Sequence, residues 1–225
     1  MKEQNEEKNK DMGEFISKSE QFIENNQKRI LTVIGAVVLV VLVCFGARKW
    51  IVQPRQERAA ADMFAAEQWF AADSLDLALN GNTQFMGFYD VIDNYGHTKS
   101  GNLAKYYAGV CNLRLGNYAE AVKWLKKYNG KDTFTKVLAV ICEGDAELEQ
   151  GNDDKALACY LKAAKMEDNF VTTPTALFKA GMVQLKKGNN DKAASLFKEI
   201  KKYPEATEYR EADKYIAYAE AAAKK

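Results

Sequence analysis

The sequence predicts an all-α fold, a solenoid of helix pairs carried on a single N-terminal transmembrane helix. Three observations predict it. A charge-free apolar run fills residues 30–45. Gly-Asn pairs recur at Gly81, Gly116, Gly151 and Gly188, at intervals of 35, 35 and 37 residues. Only three prolines and fourteen glycines interrupt a 225-residue chain rich in Ala, Leu, Lys and Glu, which is the composition of helices joined by short turns.

Residues 1–29 form a polar N-terminal tail. The stretch 1–26 is rich in Glu, Lys, Asn and Gln, with a short apolar patch at Phe15, Ile16, Phe22 and Ile23, and reads as mostly disordered or weakly amphipathic. Residues 30–47 read as the transmembrane helix, bounded by Lys28 and Arg29 before and by Arg48 and Lys49 after. Eighteen residues at about 1.5 Å each span roughly 27 Å, close to the hydrocarbon thickness, and interfacial Trp50 with snorkelling Lys and Arg covers the deficit. Twelve Ile, Leu, Val and Phe side chains in the run favour insertion by roughly 5 kcal/mol at about 0.4 kcal/mol each. A buried core helix would need equally apolar partner helices, and the chain contains none.

Two processing routes fit poorly. A signal peptide would carry a charged region 29 residues long and lacks a small-residue cleavage site after the apolar run. A lipidated Cys44 would be preceded by Val43 where a small residue is required. Orientation stays open, because Lys18, Lys28 and Arg29 face Arg48, Lys49, Arg55 and Arg58 across the span, and long domains translocate largely regardless of charge.

Residues 48–101 read as one long helix and a degenerate repeat: an Ala-rich helical stretch over 54–79, the Gly81 turn, and a second helix over 83–95 with Met86 where alanine is expected. Residues 102–204 hold three clear repeats. In each, glycine takes the left-handed conformation that ends a helix and asparagine caps the next. Asn117 followed by Glu120 resembles a capping box. A glycine lies seven positions before each turn, at Gly109, Gly144 and Gly181, and an alanine five after it, at Ala121, Ala156 and Ala193. A bulky residue follows, Leu125, Tyr160 or Phe197, expected to fill the space between neighbouring pairs. These positions resemble the tetratricopeptide-repeat motif, whose period is about 34 residues. Pro174 suits the first turn of a helix and Pro204 ends the last one. Residues 205–225 read as a capping helix over the final repeat.

Charge and composition exclude several function classes. Lysine plus arginine (32) nearly balances aspartate plus glutamate (31), so no field steers nucleic acid or a charged substrate to the surface. The four cysteines have no C-x-x-C spacing, and His97 has no ligand cluster beside it, so no metal or cofactor is expected. The cysteines are expected to pack as small hydrophobes. No acid–base pair or activated nucleophile stands out, and Glu143, Asp145, Glu147 and Glu149 read as a solvated face, so no enzymatic activity and no small-molecule substrate is expected.

What remains is protein binding. First helices of such units line a concave surface that receives peptides or helices. By register it comprises Tyr106, Val110, Leu113 and Arg114, then Ile141, Asp145 and Leu148, then Phe178, Met182 and Leu185. The stripe is partly apolar, so it either binds a partner or is covered by a terminal helix. The Asn and Lys pattern that clamps a carboxylate in chaperone-binding tetratricopeptide domains is absent.

The tail, the F-I-E-N-N-Q-K approach at 22–28, the single span and the repeats together resemble the YfgM-like family over nearly the whole chain. The resemblance implies a single-pass bacterial inner-membrane protein with a periplasmic repeat domain. It implies an ancillary role at the Sec translocase beside a periplasmic chaperone, assisting newly translocated chains. An N-anchored scaffold or import receptor facing the cytosol, which free cysteines would suit, and a general cell-envelope assembly scaffold are the alternatives.

Overall fold

The computed structural model describes residues 2–224, with side chains described from Asn25 onward. The chain divides into two compact units, Met1–Pro54 and Arg55–Lys225.

In the first unit, α1 (Lys2–Ala47) leads into a turn of π-helix at Arg48–Val52. The backbone is helical from Lys2, where the sequence reads as a mostly disordered or weakly amphipathic tail. The side chains of that stretch, including the patch at Phe15, Ile16, Phe22 and Ile23, lie outside the described residues. Further on, the apolar side chains stand open, with Leu42 and Phe45 each 65% exposed. The one polar side chain in the run is satisfied locally, as the Thr32 hydroxyl donates to the Lys28 carbonyl at 2.7 Å. Among the described residues this is the one helix long and apolar enough to cross a membrane.

The second unit is a succession of short helices: α2 (Gln53–Ala71), α3 (Leu75–Asn80), α4 (Phe88–Tyr95), α5 (Lys99–Arg114), α6 (Tyr118–Lys127), α7 (Thr133–Glu149), α8 (Asp153–Met166), α9 (Thr172–Lys186), α10 (Asn190–Ile200) and α11 (Tyr209–Ala223). Each helix from α4 on packs against the next, and the first helices of successive pairs also touch, α5 on α7, α7 on α9 and α9 on α11. The last helix therefore takes the place a further first helix would hold, which closes the stack.

The pairs are built around a glycine. A Cβ at Gly109 would lie 2.5 Å from Leu125 Cγ, one at Gly144 2.6 Å from Tyr160 Cε1, and one at Gly181 2.5 Å from Phe197 Cε1. The bulky side chain of the second helix thus sits on the bare backbone of the first helix in its own pair. It also fills the space toward the next pair, as expected: the Phe197 ring lies 5.4 Å from Tyr215 of α11, Lys179 of α9 lies 5.8 Å over the Tyr160 ring, and Leu125 clusters with Ala139 and Ala146 of α7. Ala121, Ala156 and Ala193 are fully buried, which lets the second helix approach at that depth. The turn glycines Gly116, Gly151 and Gly188 all have φ between 75° and 81°, the left-handed conformation that costs any other residue type energy.

Turn asparagines act differently from the expected caps. Neither Asn117, Asn152 nor Asn189 caps the following helix with its side chain. Instead each backbone N–H reaches back to the carbonyl five residues earlier, at Asn112, Glu147 and Gln184. The side-chain amides of Asn152 and Asn189 donate to Glu147 Oε2 and Gln184 Oε1, each at 2.8 Å. The capping box expected at Asn117 is not formed, since Glu120 pairs with Lys123 at 2.9 Å.

The degenerate unit departs most from expectation. The long helix stops at Ala71, where Asp73 adopts φ 61° and is held by Arg114 at 2.6 Å. The second helix begins only at Phe88, because Asn82 closes a local turn in which its Oδ1 accepts from the N–H groups of Gln84 and Phe85, both at 2.8 Å. Gly87 then starts the helix, its N–H donating to Asp90 at 3.2 Å. The shifted start puts fully buried Val91, not Met86, at the position where the other units carry alanine. Phe88 stacks on Tyr107 at 5.0 Å, with Phe70 edge-on to Tyr107 at the same separation.

Two substitutions separate the two glycine roles. Gly144→Ala drives a methyl into Tyr160 and should destabilise the repeat unit by roughly 1–3 kcal/mol even though alanine is the better helix former. Gly151→Ala meets nothing within 4 Å and should cost roughly 1–2 kcal/mol through its backbone conformation alone. Denaturant titration of both variants checks the pair, with loss of the Tyr160 ring packing confined to Gly144→Ala.

Candidate protein-binding face

The first helices α5, α7 and α9 carry the residues predicted to bind. Met182 is 38% exposed and Arg114 is also open to solvent. Val110 and Leu113 are half-buried against a cluster of Ala121, Leu125, Ala139 and Ala146. Leu148 and Leu185 are likewise half-buried against the clusters of their own units. Tyr106 stacks at a tilt with Tyr107 at 5.6 Å and Tyr128 at 5.7 Å. Phe178 packs at 5.6 Å from Phe197 and 5.2 Å from Tyr215 of α11, so the terminal helix covers that part of the stripe. Ile141 is only 4% exposed and belongs to the core with Val137, Tyr160 and Ala180. Its placement on the binding face is therefore corrected: α7 is wedged between two neighbours, and a β-branched side chain at this register is consumed by their packing.

Asp145 is the electrostatic centre of the face. Its carboxylate accepts from the Tyr160 hydroxyl at 2.7 Å and from Lys179 Nζ at 2.7 Å, joining α7, α8 and α9. A cavity of about 380 Å³ opens beside it, lined by Leu113, Tyr118, Asp145, Leu148, Glu149 and Lys179. Tyr118, Glu149 and Lys179 escaped sequence reasoning. The available signal was charge periodicity, since Asp145 and Lys179 stand one repeat apart in the sequence. Lys186 with Asp153 at 2.6 Å, and Lys187 with Asp154, pair across nearly the same offset.

The acidic run is not one solvated face. Glu147 is 3% exposed and lies near Lys126 at 3.3 Å and Lys155 at 3.7 Å, in addition to accepting from Asn152. Residues two apart on a helix point about 200° apart, so alternate acids cannot share a side. Burial lowers the Lys126 pKa, but Glu147 and Glu143 outweigh it and leave the ammonium raised.

Burial also governs the reactive groups. It pushes the thiols of Cys111, Cys142 and Cys159 up to about 12, so they are protonated near neutrality and poor nucleophiles. All four cysteines are free, and Cys111 is a fully buried core residue. Burial raises Tyr160 as well, reinforced by the charge and hydrogen bond of Asp145, and raises Tyr106. Among the described residues no group of three or more His, Cys, Asp or Glu is placed to hold a metal ion. The arrangement offers a surface of partly apolar and charged contacts.

Residues 91–133 and 143–207 match the tetratricopeptide repeat family. The first match begins within α4 and the second ends beyond α10, so together they cover α5, α6, α8, α9 and α10 and leave out α2, α3 and residues 134–142 of α7. No curated protein matches the chain.

The buried phenols give a titration test. A tyrosine whose folded pKa exceeds its unfolded value near 10 stabilises the fold fully below pH 10 and loses that contribution as pH rises through the folded value. Tyr203, held up to about 12 mainly by its hydrogen bond to Asp168, should therefore ionise after the exposed tyrosines, and Tyr106 and Tyr160 later still. Ultraviolet titration of the native protein should show a delayed group that titrates normally in denaturant, and stability should fall above about pH 10.

Proposed function

We infer that this tetratricopeptide-repeat chain is a non-enzymatic, membrane-anchored protein-interaction module. The observation that carries the reading is the coexistence of a fully open apolar helix with a repeat domain whose first-helix face keeps Leu113, Leu148 and Met182 accessible around the Asp145–Lys179 pair. An apolar helix of this length is stable only in lipid or against an equally apolar partner, and the sequence holds no such partner. Repeat faces of this type bind extended peptides or helices through several weak contacts.

Within that reading, the chain sits in a bacterial inner membrane with its repeats in the periplasm. It acts beside the Sec translocase and a periplasmic chaperone, holding newly translocated chains through the face of Tyr106, Val110, Leu113, Arg114, Asp145, Leu148, Met182 and Leu185. The alternative with cytosolic repeats drew on the free thiols. Within the repeats Cys111 is buried and Cys142 and Cys159 are half-buried, which weakens that argument, because a protonated, shielded thiol persists in an oxidising compartment too.

Crosslinking in intact membranes tests the partner, and recovery of neither translocase nor chaperone would refute it. Single cysteines at exposed repeat positions such as Lys162, treated in intact cells with a membrane-impermeant thiol reagent, test the side: labelling without lysis supports the periplasmic reading, and protection until lysis the cytosolic one. Met182→Glu probes the face with little structural cost, unlike Phe178→Glu, which would disturb the α9–α11 ring packing. It should weaken partner capture roughly fivefold or more while helicity stays constant. Unchanged capture would remove Met182 from the binding surface.

A further inference from the structure

A second surface lies at the opposite ends of the helices from the glycine turns, where the α4–α5 and α6–α7 connections meet. There a cleft of about 740 Å³ is lined by His97, Lys99, Lys105, Lys127 and Lys131, with Gln56, Leu103 and Tyr128 among its walls. The one carboxylate in the lining, Asp132, is already engaged, accepting from the Thr135 N–H at 2.7 Å and its hydroxyl at 2.5 Å. Among the described residues none of the four lysines is in an ion pair, whereas Lys123, Lys126, Lys155, Lys179, Lys186, Lys187, Lys198 and Lys201 all are. Lys105 is positioned by donating to the Gly96 carbonyl at 3.1 Å, and Lys127 lies 4.7 Å above the Trp124 ring; neither contact neutralises charge. In a chain with net charge of only +1, four lysines around one cleft with a single engaged acid make a strong local positive potential.

We propose that this cleft binds the phosphate headgroups of anionic phospholipids. Phosphate chemistry suits a cleft lined by four lysines whose one carboxylate is already held in hydrogen bonds. The membrane is favoured over an acidic peptide by chain connectivity. Gln56, in the cleft wall, follows Ala47 at the end of α1 by nine residues, so even fully extended chain keeps it within about 30 Å of that end. The intervening stretch adds Arg48, Lys49 and Arg55, with Arg58 just beyond and only Glu57 opposing, the arrangement by which juxtamembrane cations attract anionic lipid.

The proposal rests on the anchor reading above, and the experiment separates the two. The full chain is reconstituted into nanodiscs of phosphatidylcholine alone or mixed with phosphatidylglycerol, and amide hydrogen exchange is followed over 96–105 and 127–132. Both segments should exchange several-fold more slowly in the mixed discs. Lys99→Gln/Lys131→Gln should weaken this lipid dependence about 25-fold, at about fivefold per lysine, while Lys162→Gln leaves it unchanged. Equal exchange in the two discs, or in both variants, overturns the proposal with the anchor intact. Equal protection by inorganic phosphate in phosphatidylcholine discs overturns the lipid as the source. Protection by a Glu-rich peptide but not by phosphatidylglycerol overturns it in favour of a protein partner. Failure of the chain to enter discs at all overturns the anchor reading itself.

Discussion

Everything in the repeat domain depends on one contact, a bulky side chain lodged on a bare glycine backbone. Leu125 on Gly109, Tyr160 on Gly144 and Phe197 on Gly181 bring the two helices of a pair closer than any Cβ would allow. The fully buried alanines Ala121, Ala156 and Ala193 extend that close approach along the second helix. Burying a side chain of this size contributes about 1.5–3 kcal/mol, and the contribution is available only where the glycine makes room. A unit without this socket needs another device. The degenerate unit uses aromatic packing among Phe70, Phe88 and Tyr107 and an inserted turn at 82–87 that resets where its second helix begins.

The close approach encloses polar groups, and the fold satisfies them in a repeated way. Asn112, Glu147 and Gln184, all nearly fully buried, occupy the same position three residues after the packing glycine. An isolated buried carboxylate would cost several kcal/mol. Glu147 avoids this by meeting Lys126, Lys155 and Asn152, while Gln184 meets Asn189 and Asn112 donates to the Tyr89 hydroxyl and the Ala108 carbonyl. The turn thereby couples to the pair: glycine supplies the backbone reversal, and the following asparagine secures the buried polar residue behind it. Ion pairs about one repeat apart, Asp145 with Lys179 and Asp153 with Lys186, link successive units at the surface, where each contributes little alone.

This construction also decides which surfaces remain for partners. First helices wedge between neighbours, so much of the apolar stripe they carry is spent on stacking, as Ile141 and Phe178 illustrate. Leu113, Leu148 and Met182 keep partial access because they lie at the outer margin of those contacts. At the other ends of the helices, the loops bring lysines from α5, α6 and the α6–α7 connection around one cleft, and among the described residues none of them is in an ion pair. The domain thus carries two chemically distinct faces, one mixed apolar and acidic, the other basic.

The apolar run, the period of the Gly-Asn turns, the packing glycines and the buried alanines were legible in the sequence, because each depends on local chemistry: transfer from water, a left-handed φ, or the absence of a side chain. The sequence by itself therefore determined the fold class. Which residue each glycine receives, whether a given apolar side chain faces a neighbour or solvent, and which charges are answered depend on contacts between distant parts of the chain, such as Tyr160 with Asp145 or Arg114 with Asp73. Ile141 and Leu148 are alike in type and lie on the same helix, yet α8 and α9 bury one and leave the other partly open. Glu147 and Glu149 read alike as solvated acids, and only their opposed directions on the helix separate a core residue from a surface one. Those assignments belonged to the tertiary structure, because burial is a property of what packs against a residue and not of the residue itself.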